Sequence, residues 1–194
     1  ASPYNVNKKF EREKLISKRA SEFDMHIVYV NLVGGQDELI FDGNSMVFNK
    51  YGDIIFQAPE FKEGLYEAHI NIKEIEIKKE NNSGLIKEES IYNALVLGVR
   101  DYVRKNNFKG VIIGLSGGID SALTLCIAVD ALGSKNVEAL IMPSRYTAKM
   151  SIDDACMLAK KLNVSYEIIS IEPPFSAFLE VLKPSFKKSS IDTT

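Results

Sequence analysis

The stretch Gly110-Val-Ile-Ile-Gly-Leu-Ser-Gly-Gly-Ile-Asp-Ser121 constrains this chain more than any other. Val111-Ile112-Ile113 is a short apolar run with no polar residue, the pattern of a strand buried on both sides of a parallel sheet. A glycine-rich turn follows, and Ala122 to Val129 reads as a mostly buried helix. Strand, glycine turn and helix in that order aim unpaired backbone N–H groups and the positive end of a helix dipole at one point, which suits an anion. Two common phosphate loops are excluded. A Walker A loop needs Gly-Lys-Ser/Thr, and no lysine lies between Gly110 and Ser134. The glycines at 114, 117 and 118 do not fit the spacing of a dinucleotide fingerprint.

Each residue of the turn has a chemical reading. Gly117 and Gly118 let the backbone approach a phosphate and permit positive φ. Ser116 and Ser121 can donate hydroxyl hydrogen bonds and cap the helix start. Asp120 is the odd member. A carboxylate ~4 Å from one phosphate charge costs about 4 kcal/mol at an effective dielectric of ~20. A divalent cation between them reverses that sign, so Mg²⁺ held by Asp120 and the phosphates is expected. The helix dipole alone would also favour an acidic residue in the first turn. The run Ser116-Gly117-Gly118-Ile119-Asp120-Ser121 resembles the pyrophosphate-binding PP-loop of the ATP pyrophosphatase family. Those enzymes cleave ATP between the α and β phosphates and adenylate a substrate oxygen, and a nitrogen or sulfur nucleophile then displaces AMP. The resemblance implies that Gly114, Leu115, Ser116, Gly117, Gly118, Ile119, Asp120 and Ser121 bind ATP.

Composition narrows the partners. The chain has 194 residues and a net charge of −2. Up to Gly84 it carries eleven basic and fourteen acidic residues, and afterwards thirteen and twelve. Neither half has the basic field that nucleic acid or an anionic membrane would call for. No apolar run approaches the ~20 residues that span a bilayer. The opening Ala1-Ser2-Pro3-Tyr4-Asn5 does not read as a signal peptide, and a cytoplasmic location is expected. Cys126 and Cys156 fall inside helical patterns. Two thiols are too few for a disulfide framework or a zinc site, so buried free cysteines are expected.

Residues 1–77 carry a different pattern. Val6 to Phe23 reads as a helix with Phe10, Ile16 and Ala20 near one face, Leu15 and Phe23 beside it, and charges elsewhere. Met25 to Val30 reads as a strand. Ser45 to Phe48 and Ile54 to Ala58 bracket Asn49-Lys50-Tyr51-Gly52-Asp53, a hairpin turn. His69 to Ile72 and Ile75 to Ile77 alternate as further strands. Alone, this segment would leave sheet edges and an open apolar face. Its order is similar to the C-terminal part of a nitrilase (carbon–nitrogen hydrolase) glutaminase domain, an αββα sandwich. Ala1-Ser2-Pro3-Tyr4 resembles the stretch just beyond that family's catalytic cysteine. Gly34-Gly35-Gln36-Asp37-Glu38 and Phe41-Asp42-Gly43 resemble the stretch after its next strand. The resemblance implies that Ser2 contacts bound glutamine. The family's Glu, Lys and Cys triad matches nothing in this chain, so no catalytic glutaminase residue is assigned. Gln36, Asp37 and Glu38 read equally well as a solvated loop.

Lys78-Lys79-Glu80-Asn81-Asn82-Ser83-Gly84 is the most polar run, and a linker over 78–86 is expected there. In residues 87–194, Ile91, Ala94, Leu95, Gly98, Val99, Tyr102 and Val103 recur at helical spacing from Glu88 to Asn106. Val137 to Met142 is a second strand, joined to the first by a βαβ crossover. Ser151-Ile-Asp-Asp154 reads as a capping box opening a helix that runs to Leu162. Val164 to Ile171 is a third strand, broken by Glu172-Pro173-Pro174 before a short helix, Phe175 to Leu182. Alternating strands and helices predict a doubly wound parallel α/β sheet, with ligands outside the strand C-termini. Residues after Met142 should therefore share a crevice with Gly114 to Ser121. Met142-Pro143-Ser144-Arg145-Tyr146 resembles the motif of NAD⁺ synthetases that lies along the adenosine of ATP, which implies nucleotide contacts from Met142, Ser144 and Arg145. Thr147-Ala148-Lys149 departs from the usual continuation, and nothing is carried past Tyr146.

A nitrilase-type part, then the PP-loop, then Met-Pro-Ser-Arg-Tyr is the order in glutamine-dependent NAD⁺ synthetases, whose chains extend further at both ends. The resemblance implies amidation of deamido-NAD⁺ (nicotinic acid adenine dinucleotide) to NAD⁺, with ATP, Mg²⁺ and glutamine-derived ammonia. It further implies a homo-oligomer, a dimer or larger. The rivals are another PP-loop amidotransferase, such as a GMP or asparagine synthetase, and a non-catalytic nucleotide-binding module. The nitrilase-like segment counts against the first, because those enzymes use other glutaminase folds.

Overall fold

A computed structural model describes residues 1–68, 70 and 84–185. The strands expected over His69–Ile77 and most of the polar run 78–84 lie outside the described residues. The chain forms two compact units, Ala1–Lys109 and Gly110–Thr194.

In the first unit, helix α1 (Lys8–Glu22) precedes strands β1 (Ile27–Tyr29), β2 (Val33–Gln36), β3 (Leu39–Asp42), β4 (Met46–Phe48) and β5 (Ile54–Gln57), and helix α2 (Lys87–Lys105) closes it. Two antiparallel sheets form, β1-β4-β5 and the hairpin β2-β3. The expected hairpin across Asn49–Asp53 is present. Asn49 Oδ1 accepts from the amides of Tyr51 and Asp53, and Gly52 takes a positive φ of 89°. The α1 face departs from expectation: Phe10 is 69% exposed, and Ala20 and Arg12 are the buried residues. Ala20, Met46 and Phe48 form a core with Ile16, Ile27, Tyr29 and Ile54.

Arg12 is buried because a partner waits for it. Its guanidinium pairs both nitrogens with the two oxygens of Asp42, one at 2.8 Å. Asn31 Nδ2 donates to Asp42 Oδ1 (3.2 Å) and to the Ser2 carbonyl (3.1 Å), while Asn31 Oδ1 accepts from the Ser2 amide (2.9 Å). Burial pushes the Arg12 guanidinium down, but the hydrogen bond and charge of Asp42 outweigh it and hold its pKa above the ordinary value.

The strand pair β2-β3 carries Gly34 and Gly35, with the turn through Asp37 at φ 52°. Glycine suits this place because α2 lies against the hairpin. A Cβ on Gly35 would sit 3.4 Å from Gly98 Cα and 3.2 Å from Asp101 Cβ. Asp101 Oδ2 accepts from the Gly35 amide at 2.8 Å, and Lys105 Nζ donates to the Gly35 carbonyl at 2.5 Å. Gln36, Asp37 and Glu38 are exposed.

In the second unit, β6 (Val111–Gly114), α3 (Ile119–Leu132), β7 (Val137–Ile141), α4 (Lys149–Lys161), β8 (Ser165–Ile168) and α5 (Glu172–Leu182) alternate. The strands are parallel in the order β6-β7-β8. Val137, Ala139 and Ile141 share a face and form one core with Leu125 and Ala128 of α3 and Ala155 and Ala159 of α4. Two expectations fail here. β6 is not buried on both sides: α3 and α4 cover the face of Val111 and Ile113, while Ile112 on the opposite face is 70% exposed and its neighbour Glu138 is exposed too. Ser151 opens no capping box: α4 starts two residues earlier, at Lys149, with Ala148 as N-cap and no side-chain cap. Cys126 and Cys156 are free, but half-buried rather than buried.

Candidate functional site

The ends of β6 and β7 and the loops leaving them enclose a cavity of about 460 Å³. Gly114, Leu115 and Ser116 form one wall. Leu140, Ile141, Met142, Pro143 and Tyr146 form another, and Thr147, Ala148, Ser151 and Ile152 complete it. This is the crevice outside adjacent parallel strand ends where such sheets bind ligands.

The loop geometry follows from its residues. Leu115 is buried, and its amide extends the ladder to the Leu140 carbonyl at 2.9 Å. Gly117 turns the chain with a φ of 81°, and an added Cβ would collide with the Ser151 carbonyl. Gly118, not a serine, is the N-cap of α3, and no side chain caps that helix. The expected capping role of Ser116 and Ser121 is therefore not seen. Their hydroxyls bond each other at 3.0 Å instead. Ser121 Oγ also accepts from the Ser116 amide at 3.2 Å, and Ser116 Oγ from the Gly118 amide at 3.3 Å. The serines brace the loop and leave the first amides of α3 without a side-chain partner. Asp120 lies exposed in that first turn. Its carboxylate has no hydrogen-bond or ion-pair partner among the described residues, and no cluster of three or more His, Cys, Asp or Glu that could hold a metal occurs among them.

The sequence-predicted residues divide into two groups. Gly114, Leu115, Ser116 and Met142 line the cavity itself. Gly117, Gly118, Ile119, Asp120, Ser121, Ser144 and Arg145 stand outside its lining. Ser144 holds the turn after β7 closed, its amide donating to Thr147 Oγ1 at 3.0 Å. Arg145 points to the start of α5. Its amide donates to Glu172 Oε2 at 3.0 Å, its Nε to Glu172 Oε1 at 2.6 Å, and one terminal nitrogen to Glu172 Oε1 and to Ser176 Oγ. The guanidinium lies 5.5 Å from the Phe175 ring, and Tyr146 packs edge-on against the same ring at 6.0 Å. Hydrogen bonding to Arg145 lowers the Glu172 pKa, and the same contact raises that of Arg145. Glu172 and Phe175 were not marked as site residues by sequence reasoning. The available signal was position: both follow the C-terminal end of the next parallel strand. Ser2, in the first unit, has its backbone held through both its amide and its carbonyl by Asn31.

The NAD synthase family model matches residues 91–193, and the carbon–nitrogen hydrolase model matches residues 6–79. A glutamine-dependent NAD(+) synthetase of Acinetobacter baylyi is 44% identical over 195 residues, covering all of this chain and 36% of the relative. One from Thermotoga maritima is 38% identical over 227 residues, covering 100% of this chain and 39% of the relative. Among solved structures, the glutamine-dependent NAD⁺ synthetase of Acinetobacter baumannii in complex with ADP superposes with a TM-score of 0.93. It is 46% identical, and the match covers 99% of this chain and 37% of that one. One from Cytophaga hutchinsonii shares the fold at a TM-score of 0.82 and 20% identity. The chain thus spans well under half the length of the relatives it matches.

Proposed function

The chain belongs to the NAD synthase family, and from that membership we propose that it is part of a glutamine-dependent NAD⁺ synthetase. In this reading the enzyme amidates deamido-NAD⁺ to NAD⁺ with ATP, through an adenylated intermediate, and draws its ammonia from glutamine. The observation that carries the reading is the crevice between the ends of β6 and β7, bordered by a loop of Ser-Gly-Gly whose helix start is uncapped.

The residues divide the work. Leu140, Ile141, Met142, Pro143 and Tyr146 offer an apolar wall to the adenine ring. Gly117 and Gly118 carry no side chain, so phosphate oxygens can reach the first amides of α3. The nicotinate carboxylate oxygen attacks the α-phosphorus, and the bond to pyrophosphate breaks with its electron pair leaving on pyrophosphate. Ammonia then attacks the acyl carbon, AMP departs with the C–O electron pair, and the amide nitrogen loses its proton to solvent. The uncapped amides hold the charge that develops on the leaving pyrophosphate, an electrostatic role rather than acid–base chemistry. Asp120 fits Mg²⁺ as a single protein ligand, since its oxygens are exposed and unengaged among the described residues, with nucleotide oxygens supplying further ligands. A bound cation would screen the phosphates from the Asp120 carboxylate.

The same reading places the hydrolase-type part at 1–77, a linker at 78–86 and the synthetase part at 87–194, and assigns Ser2 to glutamine contact. The Asn31 clamp supports that assignment by fixing the Ser2 backbone. A homo-oligomer, a dimer or larger, and a cytoplasmic location complete it. No helix among the described residues is long and apolar enough to cross a membrane.

The test is release of pyrophosphate and AMP from ATP and Mg²⁺ by the full-length protein, with and without deamido-NAD⁺ and with ammonia withheld, alongside an Asp120→Asn variant. Release that requires deamido-NAD⁺ and fails in the variant is the expected result. ATP binding without release under any of these conditions would point instead to a non-catalytic nucleotide-binding module.

A further inference from the structure

The Met142–Tyr146 turn carries part of the crevice wall, yet it is a loop and needs something to hold its shape. Its own bonds are few: Ser144 and Thr147 bond each other, and the Tyr146 amide reaches Ser144 Oγ at 3.3 Å. The start of α5 supplies the rest. The Ile171 amide donates to the Pro143 carbonyl at 3.1 Å, and Glu172 accepts three donors from Arg145, one of them its backbone amide. A carboxylate that binds a backbone amide and a guanidinium of one residue fixes both its main chain and its side chain. Phe175, one turn on, takes Arg145 over its face and Tyr146 against its edge. Tyr146 lines the cavity, whereas Arg145 does not.

We propose that Glu172 is a positioning residue for the nucleotide crevice: by holding Arg145 at its amide and guanidinium, it sets the Met142–Tyr146 turn and keeps Tyr146 in the cavity wall. Arg145 then serves the site through the turn it anchors, and Glu172, Arg145 and Phe175 act as one clamp. This rests on the crevice being the ATP site. The clamp joins the loop after β7 to the helix after β8, so Glu172 and Phe175 come from a stretch outside the Met142–Tyr146 motif.

The test uses the full-length protein, wild type and Glu172→Gln, which keeps the shape and removes the charge. Three readouts are taken: Mg·ATP affinity by calorimetry, the steady-state constants for ATP, and amide exchange over residues 144–148, with thermal unfolding to confirm the fold. The expected result is faster exchange at Arg145 and Tyr146, with Mg·ATP affinity weakened about tenfold. KM for ATP should rise by more than kcat falls, as for loss of binding rather than of transition-state contacts. Unchanged exchange, or faster exchange with unchanged ATP affinity, would overturn the positioning role. A wild-type protein that binds no Mg·ATP would overturn the nucleotide reading itself, and the positioning role with it.

Discussion

The backbone of Gly117 passes so close to the Ser151 carbonyl that no side-chain carbon fits between them. At this point the main chain of the phosphate-type loop meets the main chain of the first turn of α4. Gly117 also holds a φ of 81°, where any other residue is strained. Gly117→Ala should therefore cost about 1–3 kcal/mol and displace either the loop or α4. Because Ser151 lines the cavity, the displacement should also lower Mg·ATP affinity. Urea unfolding and calorimetry on the same variant check both effects. Gly118→Ala makes the contrast, since a Cβ there meets only Ser116 Oγ at 3.5 Å. It should unfold close to wild type.

The Arg12–Asp42 pair predicts an asymmetry in stability. Both side chains are nearly inaccessible, at 6% and 1% exposure. Arg12→Met leaves the Asp42 carboxylate buried with the Asn31 amide as its one remaining side-chain partner among the described residues, and should cost about 3–5 kcal/mol. Arg12→Met with Asp42→Leu removes the stranded charge and should recover a large part of that loss. Denaturant melts of the two variants decide it, and equal losses would contradict the reading. The single variant should also loosen the first residues, because Arg12 and Asn31 both donate to the Ser2 carbonyl.

Much of the second unit was legible in the sequence because its signals are local. The run Gly110–Ser121 states strand, turn and helix within twelve positions, and the turn's glycines sit where φ and close approach require them. The pairing of β2 with β3 was not legible. Gly34 and Gly35 carry no strand signature, and the reason for glycine is α2, more than sixty residues on. Arg12 looked like a solvated charge on an amphipathic helix because its partner lies thirty positions away. Glu172 read as part of the break after a strand for the same reason, since Arg145 precedes it by 27 positions. Ser151 shows the opposite error. A local capping pattern was present, but Ala148 and Lys149 had already begun the helix.

Asp101 and the hairpin glycines give a third prediction. The family models divide the chain between residues 79 and 91, yet α2 packs on β2 and β3, inside the first compact unit. Asp101→Ala strips the acceptor from the Gly35 amide and an ion-pair partner from Arg100 and Lys105. It should cost about 1–3 kcal/mol, chiefly from the orphaned amide. Gly35→Val should do more, because its branches would press on Asp101 and on the Gly98 backbone. Hydrogen exchange along α2 is the measurement. Both variants should raise exchange there while β6 to β8 keep their protection.

The clamp at Glu172 also fixes a direction for pH dependence. Hydrogen bonding to the Arg145 side chain and amide lowers the Glu172 pKa in the fold, opposed by a smaller effect of burial. Its carboxylate therefore binds fewer protons when folded than when unfolded, at pH values between the two pKa values. The stabilising contribution is complete above the ordinary glutamate range and fades as pH falls through the lowered folded value. Arg145, raised by the same contact, stays charged throughout and adds no limb of its own in acid. Protection of the Arg145 and Tyr146 amides should hold from neutral pH down into the ordinary glutamate range, then decline in more acid solution. Glu172→Gln should lack that acid limb and show low protection at every pH. The pair is exposed, so added salt should shrink the difference between the two proteins at neutral pH. An acid limb that persists unchanged in Glu172→Gln would assign the titration to another group.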